Sequence, residues 1–281
     1  MEASLLPEIP PERADDLHAM DRAARADLVL FMAGNQFMVM EELLAAFRAV
    51  HPAVRAISYE TLPPGLELKQ IMAGGARFRG QVLTAYPDVY ASVSQDAMAR
   101  LAAAGHIERA AARCYLHNRL SLMVAAGNPA RVRGVADLGR DALRVSQPDP
   151  ANEDIGCHIV QMYRDAGGDA LVTRIMAQKR AAGTTIFTRV HHRETPQHIA
   201  QGTADVGPVW ATEIVAARRA GRALEAVEPG AALDQRDRVN YYVAPTVRAR
   251  NTANAAKFID FLRSPAAGAI FRQHGFLPPA H

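Results

Sequence analysis

The chain has 281 residues, of which 49% are hydrophobic, 22% charged and 6% aromatic, with a formal net charge of +3. That length sets an expectation of about two domains of ~150 residues each, and the composition excludes a disordered or collagen-like chain. The 32 basic residues are scattered rather than gathered in a stripe, which argues against a dedicated nucleic-acid surface.

Only three of those basic residues are lysines, Lys69, Lys179 and Lys257. Arginine is therefore a compositional habit of this chain, and no single arginine is read as an anion clamp on residue type alone. Cys114 and Cys157 lie far apart without CxxC spacing, so neither a zinc ribbon nor a thioredoxin-like pair is indicated, and two free buried thiols are expected ahead of a disulfide. No apolar run reaches the ~18 to 20 residues of a membrane helix, and no membrane insertion is expected. Residues 1–20 are acidic, polar and proline-containing, unlike a secretory signal. The protein is then either cytoplasmic or a chain whose signal has been removed.

Pro7, Pro10 and Pro11 make the start irregular, and the pattern after Pro11 predicts a helix through Arg25. The apolar run 27–32 is of strand length. It is followed by the small-residue turn Ala33-Gly34-Asn35, and then by Met38, Met40, Leu43, Leu44, Phe47 and Val50 at helical spacing, ended by His51-Pro52. The same cycle repeats as strand 54–58, helix 66–72, strand 89–91 and helix 95–104, the last closed by Gly105. Alternation of this kind predicts an α/β protein with a largely parallel sheet.

The pattern changes over 115–124, where alternating apolar residues predict one long strand. A second α/β series follows: strand 143–146, helices near 157–166 and 170–178, strand 186–189, strand 204–210 and a helix from about Thr212. Strand 239–244 and helices 252–263 and 265–273 close the chain.

Three local words carry a family resemblance. Residues 255–278 contain Phe258, Phe261-Leu262, Ser264, Ile270-Phe271, Gly275-Phe276 and Pro278, similar to a terminal A-x-F-x-x-F-L-x-S … I-F-x-x-x-G-F-x-P signature. Residues 118–124 (NRLSLMV) resemble an N-R-L-V-L-V strand, and residues 202–210 (GTADVGPVW) a G-x-A-D-x-G-x-V-Y strand. In this order, over about residues 27–279, the words resemble those of type II periplasmic solute-binding proteins, in particular the molybdate-binding proteins of ABC transporters.

The resemblance implies a two-lobed clamshell, each lobe a mainly parallel sheet flanked by helices, with a small ligand held between lobes. Its boundaries would be an extension with a helix over 1–26, lobe one over 27–117 plus 241–281, and lobe two over 118–240. The chain would cross near 116–122 and 237–242. The implied function is the extracytoplasmic binding component of an ABC transporter, expected to be a monomer; its partners would be a small oxyanion such as molybdate or tungstate and a permease. No catalytic residue and no cofactor is expected.

The family places small hydroxyl residues after its first two strands, where this chain has Gly34-Asn35 and then Thr61 with Gly65. Neutral donors of this sort satisfy a dianion without adding charge. Ser92 and Ser94 follow the third strand and could cap the following helix, Ser92 being also a ligand candidate. In lobe two the family's short turn is replaced by residues 148–156, carrying Asp149, Glu153 and Asp154. Residues 189–196 replace a short N-V-R-type turn, making Val190, His191 and His192 ligand candidates, and Trp210 stands for the family's tyrosine. Trp210 reads either as a packed aromatic or as an indole donor, and Tyr241 and Tyr242 as one core and one lining residue.

The carboxylates leave a second reading open. His191, His192 and Glu194 could bind a divalent metal or metal chelate with Glu60, Glu153, Asp154 or His158, because imidazole and carboxylate suit zinc-like ions. A third reading is an enzyme or cytoplasmic ligand sensor on the same fold. No G-x-S-x-G or GxxxxGK[ST] word supports an enzyme.

Overall fold

A computed structural model of the chain describes residues 6–151, 153–189 and 191–279, and of His191 the backbone alone. The chain forms two compact units. One runs to Leu116 and regains Asn240–Gln273 and the segment from Pro278; the other is His117–Val239 with His274–Leu277.

The first unit is built on a six-stranded sheet. Its parallel centre is β3 (Leu28–Phe31), flanked by β4 (Ile57–Glu60) and β7 (Val89–Ser92). β3 is apolar throughout, whereas β4 and β7 also carry Ser58, Glu60 and Ser92, and all three strands are almost wholly buried. The helices are α1 (Phe37–Val50), α2 (Pro64–Ala73), α3 (Gln95–Ala103), α8 (Thr252–Leu262) and α9 (Pro265–Gln273). β2 (Leu17–His18) adds antiparallel to β4, β14 (Asn240–Pro245) adds antiparallel to β7, and β8 (Arg113–His117) lies beyond β14. A small three-stranded sheet joins β1 (Glu8–Ile9), β5 (Ala76–Phe78) and β6 (Gln81–Leu83). Phe47 of α1 meets Phe258 edge-on at 5.1 Å and Phe261 at 5.5 Å, locking α1 to α8.

The second unit repeats the plan. β10 (Val145–Pro148) lies between parallel neighbours β11 (Thr185–Thr188) and β12 (Val206–Trp210), and β9 (Leu120–Ala125) and β13 (Leu224–Val227) continue the sheet antiparallel. Around it lie α4 (Ile155–Thr173), the turn α5 (Lys179–Ala181), α6 (His191–Ala200) and α7 (Ala211–Arg219). Both units are thus α/β layers with a three-stranded parallel centre.

Several sequence expectations are corrected. The helix expected over 11–25 is two short 3-10 segments, Pro11–Asp16 and Met20–Arg25, with β2 between them. Sheet pairing of Leu17 with Glu60 and His18 with Tyr59 overrides the helical pattern, and Ala19 turns the chain with φ +54°. The single strand expected over 115–124 is interrupted at Asn118-Arg119: the Asn118 side chain accepts a hydrogen bond from the Arg119 N–H at 2.8 Å, in place of a ladder bond. β5, β6 and β13 went unread because they are three or four residues long and partly exposed. α4 bends at Gly167-Gly168, where Gly168 has φ +68°, which is why two helices are legible in its sequence. Both cysteines are free, but Cys157 is exposed and Cys114 half-buried rather than enclosed in the core. Among the described residues no helix is long and apolar enough to cross a membrane.

Candidate functional site

In each unit the chain reverses its direction of winding at a central strand. From β3 it moves to β4 on one side and later to β7 on the other; from β10 it moves to β11 and later to β12. At such a switch point the loops leaving the carboxyl ends diverge and open a crevice. The candidate residues after β3 and β4 in the first unit, and around the ends of β10, β11 and β12 in the second, fall at these ends.

In the first unit, β3 leads through Met32 and Ala33 into a tight 3-10 turn, Gly34–Gln36, that opens α1. Gly34 sits in a tight space: a Cβ there would stand 3.3 Å from the Leu62 carbonyl and 3.4 Å from that of Thr61, so a side chain would push the loop aside by a few tenths of an ångström. The turn therefore packs directly on the loop after β4. Asn35 is buried and its Nδ2 donates to the Tyr241 hydroxyl at 2.5 Å. The next residue, Gln36, is fully buried; its Oε1 accepts from the Tyr115 hydroxyl at 2.9 Å, while its Nε2 has no partner among the described residues. Thr61 is also buried, its Oγ1 likewise without a partner among the described residues, and its N–H donates to the Asp16 carbonyl at 2.9 Å.

Ser92 ends β7, and its Oγ accepts from the Ser94 N–H at 2.9 Å. Ser94 is the helix cap, its Oγ accepting from the Ala97 N–H at 3.1 Å. Gly65 lies exposed in the first turn of α2, with nothing near a would-be Cβ. Glu60, the last residue of β4, is fully buried. Burial pushes its carboxyl up to about 8, the Gln70 amide opposing at 3.2 Å and Asp16 adding to the rise. It is consequently an uncharged acid at neutral pH.

In the second unit, Gln147 near the end of β10 is fully buried, accepting from the Tyr163 hydroxyl at 2.6 Å and donating to the Pro148 carbonyl at 2.9 Å. The loop beyond it brings the buried Glu153 to the start of α4. Thr188 closes β11, buried, with Oγ1 lacking a partner among the described residues. α6 is then held to the sheet by a buried relay in which Ser146 Oγ lies 3.0 Å from Thr195 Oγ1 and 2.9 Å from His198 Nδ1.

That docking sets the first turn of α6. His192 Nδ1 lies 3.0 Å from Glu213 Oε1 in the first turn of α7, both side chains being nearly buried. Glu194 instead accepts from the Arg189 N–H at 2.6 Å, capping the helix start. Trp210 is 2% exposed and its ring stands 5.8 Å from that of His158. Burial first, and Arg238 second, lower the His158 imidazole to about 4, so it is neutral at pH 7.

Gly34, Asn35 and Thr61 are therefore brought together in the first unit; in the second, His192 in the first turn of α6 and Trp210 at the end of β12 follow strands separated by β10. Val190 and the His191 side chain lie outside the described residues. Among those residues no group of three or more His, Cys, Asp or Glu side chains is placed to hold a metal ion. His192, a proposed metal ligand, faces Glu213, and Glu194 faces a backbone N–H. Gln36, Thr188 and Glu213 were not singled out in the sequence. Gln36 directly follows Asn35 in the small-residue turn, which could have marked it; the burial of Thr188 and the His192 pairing of Glu213 leave no local signature.

The bacterial extracellular solute-binding protein family matches residues 28–277. Comparison with curated protein sequences finds no match. Among solved structures, the periplasmic molybdate-binding protein of Azotobacter vinelandii is 19% identical, with a TM-score of 0.68 over 90% of this chain and 100% of that one. The sulfate-binding protein SubI of Mycobacterium tuberculosis is 19% identical, with a TM-score of 0.70 over 89% and 85%. Iron-bound HitA of Pseudomonas aeruginosa is 14% identical, with a TM-score of 0.67 over 89% and 85%. At these identities the likeness is one of fold.

Proposed function

The chain belongs to the bacterial extracellular solute-binding protein family, and from that premise we propose that it captures a small oxyanion outside the cytoplasm and delivers it to an ABC permease. The observation that carries the choice of ligand is a pair of buried polar groups at the carboxyl ends of β3 and β4. Gln36 Nε2 and Thr61 Oγ1 have no partner among the described residues, and leaving such groups unsatisfied costs about 1–3 kcal/mol each. An oxyanion accepts from both.

The surrounding charges support the same reading. Asn35, Gln36, Thr61 and Ser92 are neutral donors, suited to a tetrahedral dianion because they add no charge of their own. Glu60 is uncharged at neutral pH and so does not repel an anion. Glu213 is faced by His192. Binding would involve no covalent chemistry, and the chain's own residues would act only by donating hydrogen bonds and by excluding water from them.

Calorimetric titration with molybdate, tungstate, sulfate and phosphate tests this directly. At least one should bind, and Thr61→Val, which removes an unpartnered hydroxyl at nearly constant volume, should weaken it about tenfold or more without loss of stability. Absence of heat with all four anions, or unchanged affinity in the variant, would overturn the reading.

A further inference from the structure

At the opposite end of β4 from Thr61 lies a second concavity, of about 500 Å³, lined by Ala19, Ala26, Ile57, Ser58 and the four arginines Arg22, Arg25, Arg48 and Arg55. The arginines come from three separate places: the 3-10 segment Met20–Arg25, the last turn of α1, and the loop leading into β4. Ser58 fixes the first of these to the sheet by donating to the Ala19 carbonyl at 2.7 Å. Half of the arginine set, Arg22 and Arg25, precedes the family match, which begins at residue 28.

The positive charge here is only partly compensated. No acidic residue lines the cavity. Arg22 approaches only its neighbour Asp21, at 3.6 Å with both side chains largely exposed, a pair of small energetic consequence. Arg25, Arg48 and Arg55 make no ion pair among the described residues. The nearby Asp27 carboxylate is spent on the backbone, accepting from the Arg55 N–H at 2.9 Å and the Ala56 N–H at 2.8 Å.

We propose that this concavity is a second anion site, taking a compact soluble polyanion that carries at least two phosphoryl groups. Its volume is that of a small-molecule site. Planar guanidinium groups match phosphoryl oxygens in bidentate fashion, and four of them exceed what one tetrahedral dianion neutralises. Alanine and isoleucine provide an apolar floor that lowers the local dielectric and strengthens those pairs. The site does not depend on the oxyanion reading of the strand ends, because it uses none of those residues.

The test is titration with inorganic pyrophosphate at low ionic strength, using the whole chain, the triple variant Arg25→Ala/Arg48→Ala/Arg55→Ala, and Thr61→Val. All three substituted arginines are exposed, so the triple variant should fold, which circular dichroism checks. Pyrophosphate should bind the unaltered chain one to one, about 100-fold more weakly to the triple variant, and equally well to Thr61→Val. Added salt should weaken the complex. No heat, unchanged affinity in the triple variant, or equal loss in Thr61→Val would overturn the proposal. Co-sedimentation with phosphatidylglycerol vesicles forms a separate arm: arginine-dependent capture by vesicles without pyrophosphate binding would overturn it in favour of a lipid surface.

Discussion

Glu60 shows how a single residue can be misread from its letter. In the sequence it reads as a charged carboxylate available to a divalent metal. In the folded chain it is a fully buried acid whose pKa is raised from 4.5 to about 8. Because the folded value exceeds the unfolded one, the folded chain holds the extra proton between them. The stability Glu60 confers is therefore complete below about pH 4.5 and is lost as pH rises through about 8. Glu60→Gln keeps an oxygen for the Gln70 amide and removes the titration. Urea denaturation at about pH 5 and about pH 8.5 should show the unaltered chain losing stability relative to the variant at the higher pH; parallel behaviour of the two proteins would contradict this. His158 has the opposite sign: its imidazole is held neutral, so its contribution is lost as pH falls below 6.5 toward about 4.

At the scale of elements, legibility followed length and periodicity. α1 could be read because Leu43, Leu44 and Phe47 recur on one buried face and His51-Pro52 stops the helix. The strand at 28–31 could be read because it is apolar throughout. By contrast, β2 takes its conformation from β4, not from its own two residues, and no local pattern could reveal it. The start of α3 lies between these cases: the Ser-x-Ser run could be read as a cap, but the structure divides the work, with Ser94 capping the helix and Ser92 holding Ser94. Ser94→Ala should lower unfolding stability by about 1 kcal/mol in urea denaturation. Ser92→Ala, which leaves the cap in place, should cost less; the reverse order would show that the cap is misassigned.

For the whole molecule, the two sheets have one plan: a central strand from which the chain departs to either side, β3 in one unit and β10 in the other. That plan was accessible from the repeated strand, turn and helix cycle, and the words at 118–124, 202–210 and 255–278 strengthened it. The site was less accessible. Asn35 and Thr61 could be located by their places after strands, whereas the unpartnered state of Gln36 Nε2 depends on Tyr115, 79 positions away, taking only its oxygen. If a bound oxyanion satisfies these groups, the anion stabilises the folded chain in proportion to occupancy. At 100 times its dissociation constant it should add about 2.7 kcal/mol, raising the thermal midpoint by roughly 5–10 °C. Differential scanning fluorimetry should register that rise, diminished in Thr61→Val at the same anion concentration; no rise with an anion that calorimetry finds to bind would contradict the linkage.

The backbone bond from Thr61 to the Asp16 carbonyl carries a practical consequence. Asp16 belongs to the stretch ahead of the family match, yet it anchors the loop that bears Thr61. Trimming a recombinant fragment back to the matched boundary would remove that anchor together with β2 and the buried Met20, Ala23 and Ala26. For the same reason, an environment-sensitive fluorophore attached at the exposed edge of this leading stretch would have a direct mechanical path to the Thr61 loop. That makes the leader of this chain, rather than its sheet, the natural place from which to build an optical reporter of anion capture.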